Sequence, residues 1–280
     1  MVKEKAFAKA NLFLDIVGKR PDEYHNLEMV MAPTSLYDTL TFQKTNELGV
    51  HLTTNCPITE KPEENLVVKI AQELMKTYQI DGGVKIDLKK RIPIAAGLGG
   101  GSADGAATLR GMNRLFKLKL PNKTLADIGE SFGSDIPYCI YNQLCIARGK
   151  GEQLFFLKGR LNLNALLITP PVQTSTKSVF DTVDMAKVPT VKITGMTNAL
   201  YNKNRQLIMN ELYNALEPFA LEAVPEVRAL KKKLEAFDVD GMVMSGTGGT
   251  FVVFPKDKKQ SQEIIDSLDK KMFAECVKIY

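Results

Sequence analysis

Between Pro93 and Ala107 the chain reads Pro-Ile-Ala-Ala-Gly-Leu-Gly-Gly-Gly-Ser-Ala-Asp-Gly-Ala-Ala. Few folds accommodate such a run. Gly97, Gly99, Gly100 and Gly101 put four residues without Cβ atoms into five positions, so the backbone can bring its N–H groups close to a ligand. Val84, Ile86 and Leu88 alternate as a strand leading in, and Ser102 to Phe116 has helical spacing leading out. A strand, a glycine turn and a helix start aim unpaired N–H groups and the positive end of the helix dipole at one point. That arrangement suits an anion, above all a phosphate. Ser102 adds a hydroxyl that caps the helix or reaches a phosphate or metal ion. The competing reading is a tight turn and nothing more. The run is not a Walker A loop, because no Lys-Ser or Lys-Thr follows the last glycine. It is also a poor Rossmann fingerprint: the first strand lies far upstream, and no lone acidic residue ends a second strand about 20 residues beyond.

The chain has 280 residues, enough for two domains or one large one. It is 44% hydrophobic and 25% charged, with a net charge of +5. That excess is too small to argue for nucleic acid, though it slightly favours small anions. Cys56, Cys139, Cys145 and Cys276 show no CxxC spacing, and His25 and His51 are the only histidines. No protein-held metal site is expected. The opening Met-Val-Lys-Glu-Lys lacks an apolar signal region, and no run of 18 apolar residues occurs. A cytoplasmic protein with reduced thiols, not bound to membranes, is expected.

Residues 5–17 alternate. Ala6, Ala8, Ala10, Leu12, Leu14 and Ile16 share one strand face; Phe7, Lys9, Asn11, Phe13, Asp15 and Val17 share the other. Lys9 and Asn11 are then neighbours, either as ordinary polar residues of a solvent-facing edge or as part of a site. The turn Gly18-Lys19-Arg20-Pro21-Asp22-Glu23-Tyr24-His25 carries two aromatic rings that either hold a flat ligand or pack on the next strand. An extended stretch follows over 27–43, and 44–64 reads as a strand pair with exposed loops. Asn65 to Tyr78 is helical. A helix from Thr124, with Asp127 three residues on, suggests a weak capping box and ends at Gly133. Asp135 then either caps the next turn or stands as a carboxylate for base chemistry. A linker falls near 152–162, dividing the chain into 1–155 and 156–280. Beyond it come a strand at 163–168, a short helix at 175–184 and a polar, irregular stretch at 186–207. Helices at 208–219 and 222–237, a strand at 242–245, a return strand at 250–254, a helix at 258–269 and a last strand at 274–279 complete the chain. The second half thus alternates as in a split βαβ sandwich.

Several separated motifs agree on one resemblance. The stretch Pro93-Ile94-Ala95-Ala96-Gly97-Leu98-Gly99-Gly100-Gly101-Ser102-Ala103 resembles the phosphate loop of the GHMP kinases. Ala8-Lys9-Ala10-Asn11-Leu12-Phe13-Leu14, the turn at 18–25, Glu64-Asn65-Leu66 and Gly133-Ser134-Asp135-Ile136-Pro137 narrow it, as do Gly149-Lys150-Gly151-Glu152 and Ser245-Gly246-Thr247-Gly248-Gly249-Thr250. They resemble the branch whose acceptor is a cytidine diphosphate-linked methylerythritol of non-mevalonate isoprenoid biosynthesis. The likeness runs in order from about residue 6 to about residue 254.

The resemblance implies an α+β fold of two domains. The N-terminal domain is like ribosomal protein S5 and binds ATP; the C-terminal domain is ferredoxin-like. It implies a phosphotransferase acting on an alcohol group, here the 2-hydroxyl of the methylerythritol, with ATP and Mg²⁺. Asp135 would take the hydroxyl proton, and Lys9 would hold that hydroxyl and keep Asp135 ionised. The loop from Pro93 to Ala103 would grip the ATP phosphates, and Asn65 would lie near the adenine. Tyr24, His25 and Phe180 would enclose the cytosine, and Asn11 would touch the methylerythritol end. The expected partner is a small molecule; the sequence leaves the oligomeric state open, with monomer and weak homodimer as the alternatives. Two departures from the family pattern stand out: Glu23, where the family usually has Gly, and Gly249, where it has Pro or Ala. Glu23 would place a negative charge near the two substrate phosphates, so Glu23→Gly is expected to strengthen their binding. The competing functions are a GHMP kinase for another small alcohol and a nucleotide-binding paralogue without catalysis.

Overall fold

The computed structural model describes residues 1–22 and 24–280; Glu23, and the expectation attached to it, lie outside the described residues. In chain order the first elements are β1 (Val2–Lys19), β2 (His25–Thr45), β3 (Gly49–Thr54), α1 (Leu66–Thr77), β4 (Gly83–Lys89), α2 (Gly100–Phe116), α3 (Asn122–Glu130) and α4 (Ile136–Tyr141). Then follow β5 (Cys145–Gly149), β6 (Gln153–Phe156), β7 (Leu163–Thr169), α5 (Thr176–Asp181), α6 (Thr194–Tyr201) and α7 (Arg205–Asn210). The chain ends with β8 (Tyr213–Asn214), α8 (Glu217–Ala223), α9 (Pro225–Leu234), β9 (Gly241–Met244), β10 (Phe251–Phe254), α10 (Lys258–Ser267) and β11 (Phe273–Ile279). The α+β class is as expected.

These elements form two compact units interleaved in sequence: residues 1–8, 36–94 and 99–142 in the first, and 9–35, 95–98 and 143–280 in the second. In the first unit the C-terminal half of β2 pairs antiparallel with β4, Thr39 opposite Lys89 through Thr45 opposite Gly83. Parallel β3 lies on the other side of β4. Leu36, Leu40, Phe42 and Ile86 are buried together with Ile70 and Leu74 of α1 and Leu109 and Met112 of α2. Fully burying one such side chain is worth about 1.5–3 kcal/mol. A Cβ on Gly111 would meet the Phe42 ring at 2.3 Å, so close packing offsets the helix-propensity cost of that glycine.

In the second unit β7, β9, β10 and β11 form an antiparallel sheet in the order β11-β7-β10-β9. With α10 joining β10 to β11, this is the split βαβ arrangement anticipated from the alternation. Leu166, Leu167, Ile168 and all of β10 are buried. The N-terminal half of β2 carries β5, which forms a hairpin with β6. Residues 9–19 of β1 carry the short parallel strand β8, Phe13 opposite Tyr213.

The differences from expectation have local causes. Residues 44–64 hold one strand, β3, and a 3₁₀ turn at Pro62–Glu64, not a strand pair. The helix expected at Thr124 begins at Asn122 after Pro121 and ends at Glu130, with no side-chain cap at its start, so the capping box is not used. Within 152–162 the strand β6 ends at Phe156, and the residues after it lie outside any helix or strand. Residues 186–207 are irregular only in part: 188–193 lie outside any helix or strand, but α6 and α7 follow, with Met196, Ala199 and Leu200 as a buried helical stripe hidden among Thr and Asn residues. The helix expected over 208–219 is broken, because Tyr213 and Asn214 are drawn into a strand beside β1.

Candidate active site

β1 delivers Lys9 and Asn11 as the alternation requires, but the face they share is interior. Lys9 is 5% exposed and Asn11 fully buried, so the solvent-facing reading fails. The Lys9 ammonium donates to Asn11 Oδ1. The Lys9 N–H donates to the Leu98 carbonyl at 3.0 Å, so the strand grips the glycine loop directly. Ser245 adds a second tie. Its Oγ accepts from the Asn11 N–H at 3.1 Å and donates to the Gly97 carbonyl at 3.0 Å. The turn after Ser245 is held in turn by Asn214, whose Nδ2 donates to the Met244 and Gly246 carbonyls at 2.7 and 2.8 Å. A Cβ on Gly246 would lie 3.3 Å from Lys9 Nζ. The second unit therefore gathers Lys9, Asn11, Ala95–Leu98 and the 245–249 turn into one cluster, buried except at Ala95 and in part at Gly97. Spacing does not encode the roles of Ser245 and Asn214, whose partners lie up to 234 residues away.

The same unit brings the His25 and Phe180 rings together, stacked with centroids 5.4 Å apart and planes 22° apart. Tyr24 is 60% exposed, and the Lys150 ammonium lies 5.0 Å over its ring.

The first unit holds Pro93, Ile94, Gly99–Ala103, Asn65 and Asp135. Helix α2 starts at Gly100 rather than Ser102; Gly99 precedes it in the left-handed region at φ 67°, and no side chain caps the end. The N–H groups of the first turn are thus left for an outside acceptor. Ser102 sits inside that turn. Asn65 is 5% exposed and caps α1, its Oδ1 accepting from the Val67 N–H at 2.9 Å. Asp135 directly precedes α4, and its side chain makes no capping bond there; the cap reading fails.

A buried ion cluster that no sequence motif announces lies at the foot of the loop. Lys90 Nζ contacts Asp38 and lies 2.7 Å from Asp104 Oδ2. Asp38 Oδ1 also accepts the N–H groups of Arg91 and Ile92, anchoring the chain just before Pro93. The residues are 14 and 52 positions apart. The only local signal was an acid at each of two otherwise apolar faces.

Burial, and the neighbouring Asp38 charge, push the Asp104 carboxyl up to about 7 against the pull of Lys90. For Lys90 burial works downward, but the two carboxylates outweigh it and raise its pKa. The folded protein therefore keeps the Asp104 proton at pH values where the unfolded chain has lost it. Stability from this group is fully present below the ordinary carboxylate range, falls as pH rises to about 7, and is flat above. Urea unfolding from pH 4 to 8 should show this slope, at most about 1.4 kcal/mol per pH unit, in wild type. Asp104→Asn should lack it, and parallel curves for the two proteins would refute the assignment.

The fold and this site define a small-molecule kinase of the GHMP class. Residues 65–143 match the profile of the GHMP kinases N terminal domain and residues 196–275 that of the GHMP kinases C terminal domain. The chain belongs to the GHMP kinase family, and it is a phosphotransferase. It is 37% identical over 265 residues, 95% of this chain and 94% of the relative, to a candidate 4-diphosphocytidyl-2-C-methyl-D-erythritol kinase of Streptococcus equi subsp. zooepidemicus. A Staphylococcus epidermidis protein with the same description is 36% identical over 269 residues, 96% of this chain and 95% of its own. Among solved structures, a 4-(cytidine 5'-diphospho)-2C-methyl-D-erythritol kinase superposes with a TM-score of 0.84 at 28% identity, covering 99% of both chains. The mevalonate kinase of L. major shares the fold, at a TM-score of 0.76 and 18% identity over 100% of this chain and 96% of that one. Among the described residues no helix is long and apolar enough to cross a membrane.

Proposed function

We propose that this chain transfers a phosphoryl group from ATP to the 2-hydroxyl of 4-diphosphocytidyl-2-C-methyl-D-erythritol, a step of non-mevalonate isoprenoid biosynthesis. The observation that carries this reading is the buried Lys9–Asn11 pair bonded into the glycine loop through Leu98. A lysine so buried needs a task that offsets its desolvation. The His25–Phe180 stack supports a flat heterocycle on the acceptor side. The Streptococcus and Staphylococcus relatives that carry this description match the chain over nearly their whole length.

The glycine loop fits a phosphate donor. Gly99 turns left-handed, α2 has no side-chain cap, and a Cβ on Gly101 would meet nothing within 4 Å. Among the described residues no group of three or more His, Cys, Asp or Glu side chains is placed to hold a metal ion. Magnesium, when bound with ATP, offsets the charge on the transferred group. The chain's own residues then divide the work. The loop from Pro93 to Ala103 holds the phosphates, chiefly through the N–H groups at the start of α2, and Asn65 supports the adenine end. Lys9 orients the acceptor hydroxyl, and Asp135 accepts its proton. Asn11 contacts the methylerythritol, while Tyr24, His25 and Phe180 hold the cytosine. Residues 1–155 serve as the ATP-binding domain and 156–280 as the C-terminal domain. The four cysteines are unbridged, which suits a cytoplasmic setting.

The test is ADP release from purified protein with Mg-ATP and a panel of acceptors. ADP formed with the cytidine compound alone supports the proposal. ADP formed only with homoserine or a mevalonate derivative overturns the acceptor, and no ADP with any acceptor overturns catalysis.

A further inference from the structure

Between β7 and α5 the chain runs Pro170-Pro171-Val172-Gln173-Thr174-Ser175. Thr174 is only 4% exposed, although it is polar and lies in a connecting segment. Its N–H donates to the Ala95 carbonyl at 3.0 Å. Its hydroxyl lies 2.9 Å from that same carbonyl and 2.9 Å from the Gly248 carbonyl. A threonine hydroxyl has one proton. The N–H already serves Ala95, which leaves the hydroxyl proton for Gly248. One residue thus bridges the two glycine turns of the second unit.

Both turns need holding at this point. Ala95 has φ +52°, a left-handed value that a residue with a Cβ rarely adopts. Such conformations persist where the surroundings over-determine them. On the other side Gly248 has φ +108°, and a Cβ on Gly249 would lie 3.3 Å from Ala96 Cα, so the two backbones are in close approach. The next residues extend the tie. Ser175 caps α5 by accepting from the Ser178 N–H at 3.3 Å, and Thr176 Oγ1 lies 3.1 Å from Thr247 Oγ1. Helix α5 carries Phe180.

We propose that Thr174 is a positioning residue for nucleotide binding: its hydroxyl holds the Gly248 turn against the glycine loop and so keeps Ala95 in the conformation that presents the loop to phosphate. This rests on the reading that the loop binds ATP. A plain stabilising hydrogen bond would lower the unfolding midpoint without selecting nucleotide affinity, so the two roles separate experimentally.

The experiment titrates Mg-ATP, without acceptor, into wild type and the series Thr174→Ser, Thr174→Cys and Thr174→Val by calorimetry, with urea unfolding and steady-state kinetics alongside. Ser keeps the hydroxyl and should bind within about 2-fold of wild type. Cys, a weak donor, and Val, none, should bind about 3- to 10-fold more weakly, with KM for ATP rising in step and kcat little changed. Val binding as well as wild type overturns the proposal. So does Ser binding as poorly as Val, which would assign the effect to packing of the methyl group. If Val does not fold, the Ser–Cys comparison decides. A wild-type protein that does not bind Mg-ATP overturns this proposal and the proposed function together; a flat series on a wild type that binds overturns this one alone.

Discussion

Asp135→Asn should lower kcat by about 10²- to 10⁴-fold while the protein unfolds at nearly the same temperature as wild type. The substitution keeps size and hydrogen-bonding capacity and removes the basic carboxylate. A residue before a helix is ordinarily suspected of capping it, and loss of a cap costs about 1 kcal/mol. Here the backbone of Asp135 is already helical, at φ −86° and ψ −10°, and its side chain does not cap α4. Stability should therefore not follow activity. ADP release with saturating substrates, measured beside thermal unfolding, checks both halves. A variant with near wild-type turnover would remove Asp135 from the reaction, and a variant whose stability falls with its activity would make the residue structural.

Gly97→Ala should be the most damaging small substitution in the glycine loop. Gly97 has φ +78°, and a Cβ there would sit 2.0 Å from the Ser245 carbonyl oxygen and 3.0 Å from that of Gly248. Both obstacles are backbone, tied down by Asn11, Asn214 and Thr174, so neither can swing aside as a side chain would. A loss of about 3 kcal/mol or more is expected, read as a fall in the urea midpoint. Gly101→Ala is the informative contrast. Its Cβ would meet nothing within 4 Å, and the position is helical. Stability should hold or rise by up to about 1 kcal/mol from helix propensity. Nucleotide affinity should nonetheless fall about tenfold, a change of about 1.4 kcal/mol, because a methyl group there stands where phosphate oxygens approach the N–H groups. Calorimetric titration with Mg-ATP distinguishes the two. Unchanged affinity in Gly101→Ala would show that phosphate does not approach this face of the loop, and a Gly97→Ala protein as stable as wild type would show that the two turns are not in close approach.

What could be read from spacing was what neighbours in the chain decide. Alternation along β1 put Lys9 and Asn11 on one face, because successive strand side chains point to opposite sides. Glycine density at 97–101 announced a backbone open to a ligand, and the apolar stripes of α1, α2 and α9 marked helices that the fold contains. Separated motifs placed the whole within the GHMP kinases.

Tertiary structure decided everything that depends on which elements stack. That the Lys9–Asn11 face is interior follows from the loop and the 245–249 turn covering it. The broken helix at 208–219 has a periodicity that fits an unbroken one; Asn214 instead satisfies two carbonyls 30 and 32 residues away. The Asp38–Lys90–Asp104 cluster and the Thr174 tie join residues 14 to 79 positions apart. Periodicity records interactions between residues one to four apart. A buried ammonium or hydroxyl finds its partner through the folding of distant segments, and that choice is made by burial and hydrogen-bond satisfaction in three dimensions.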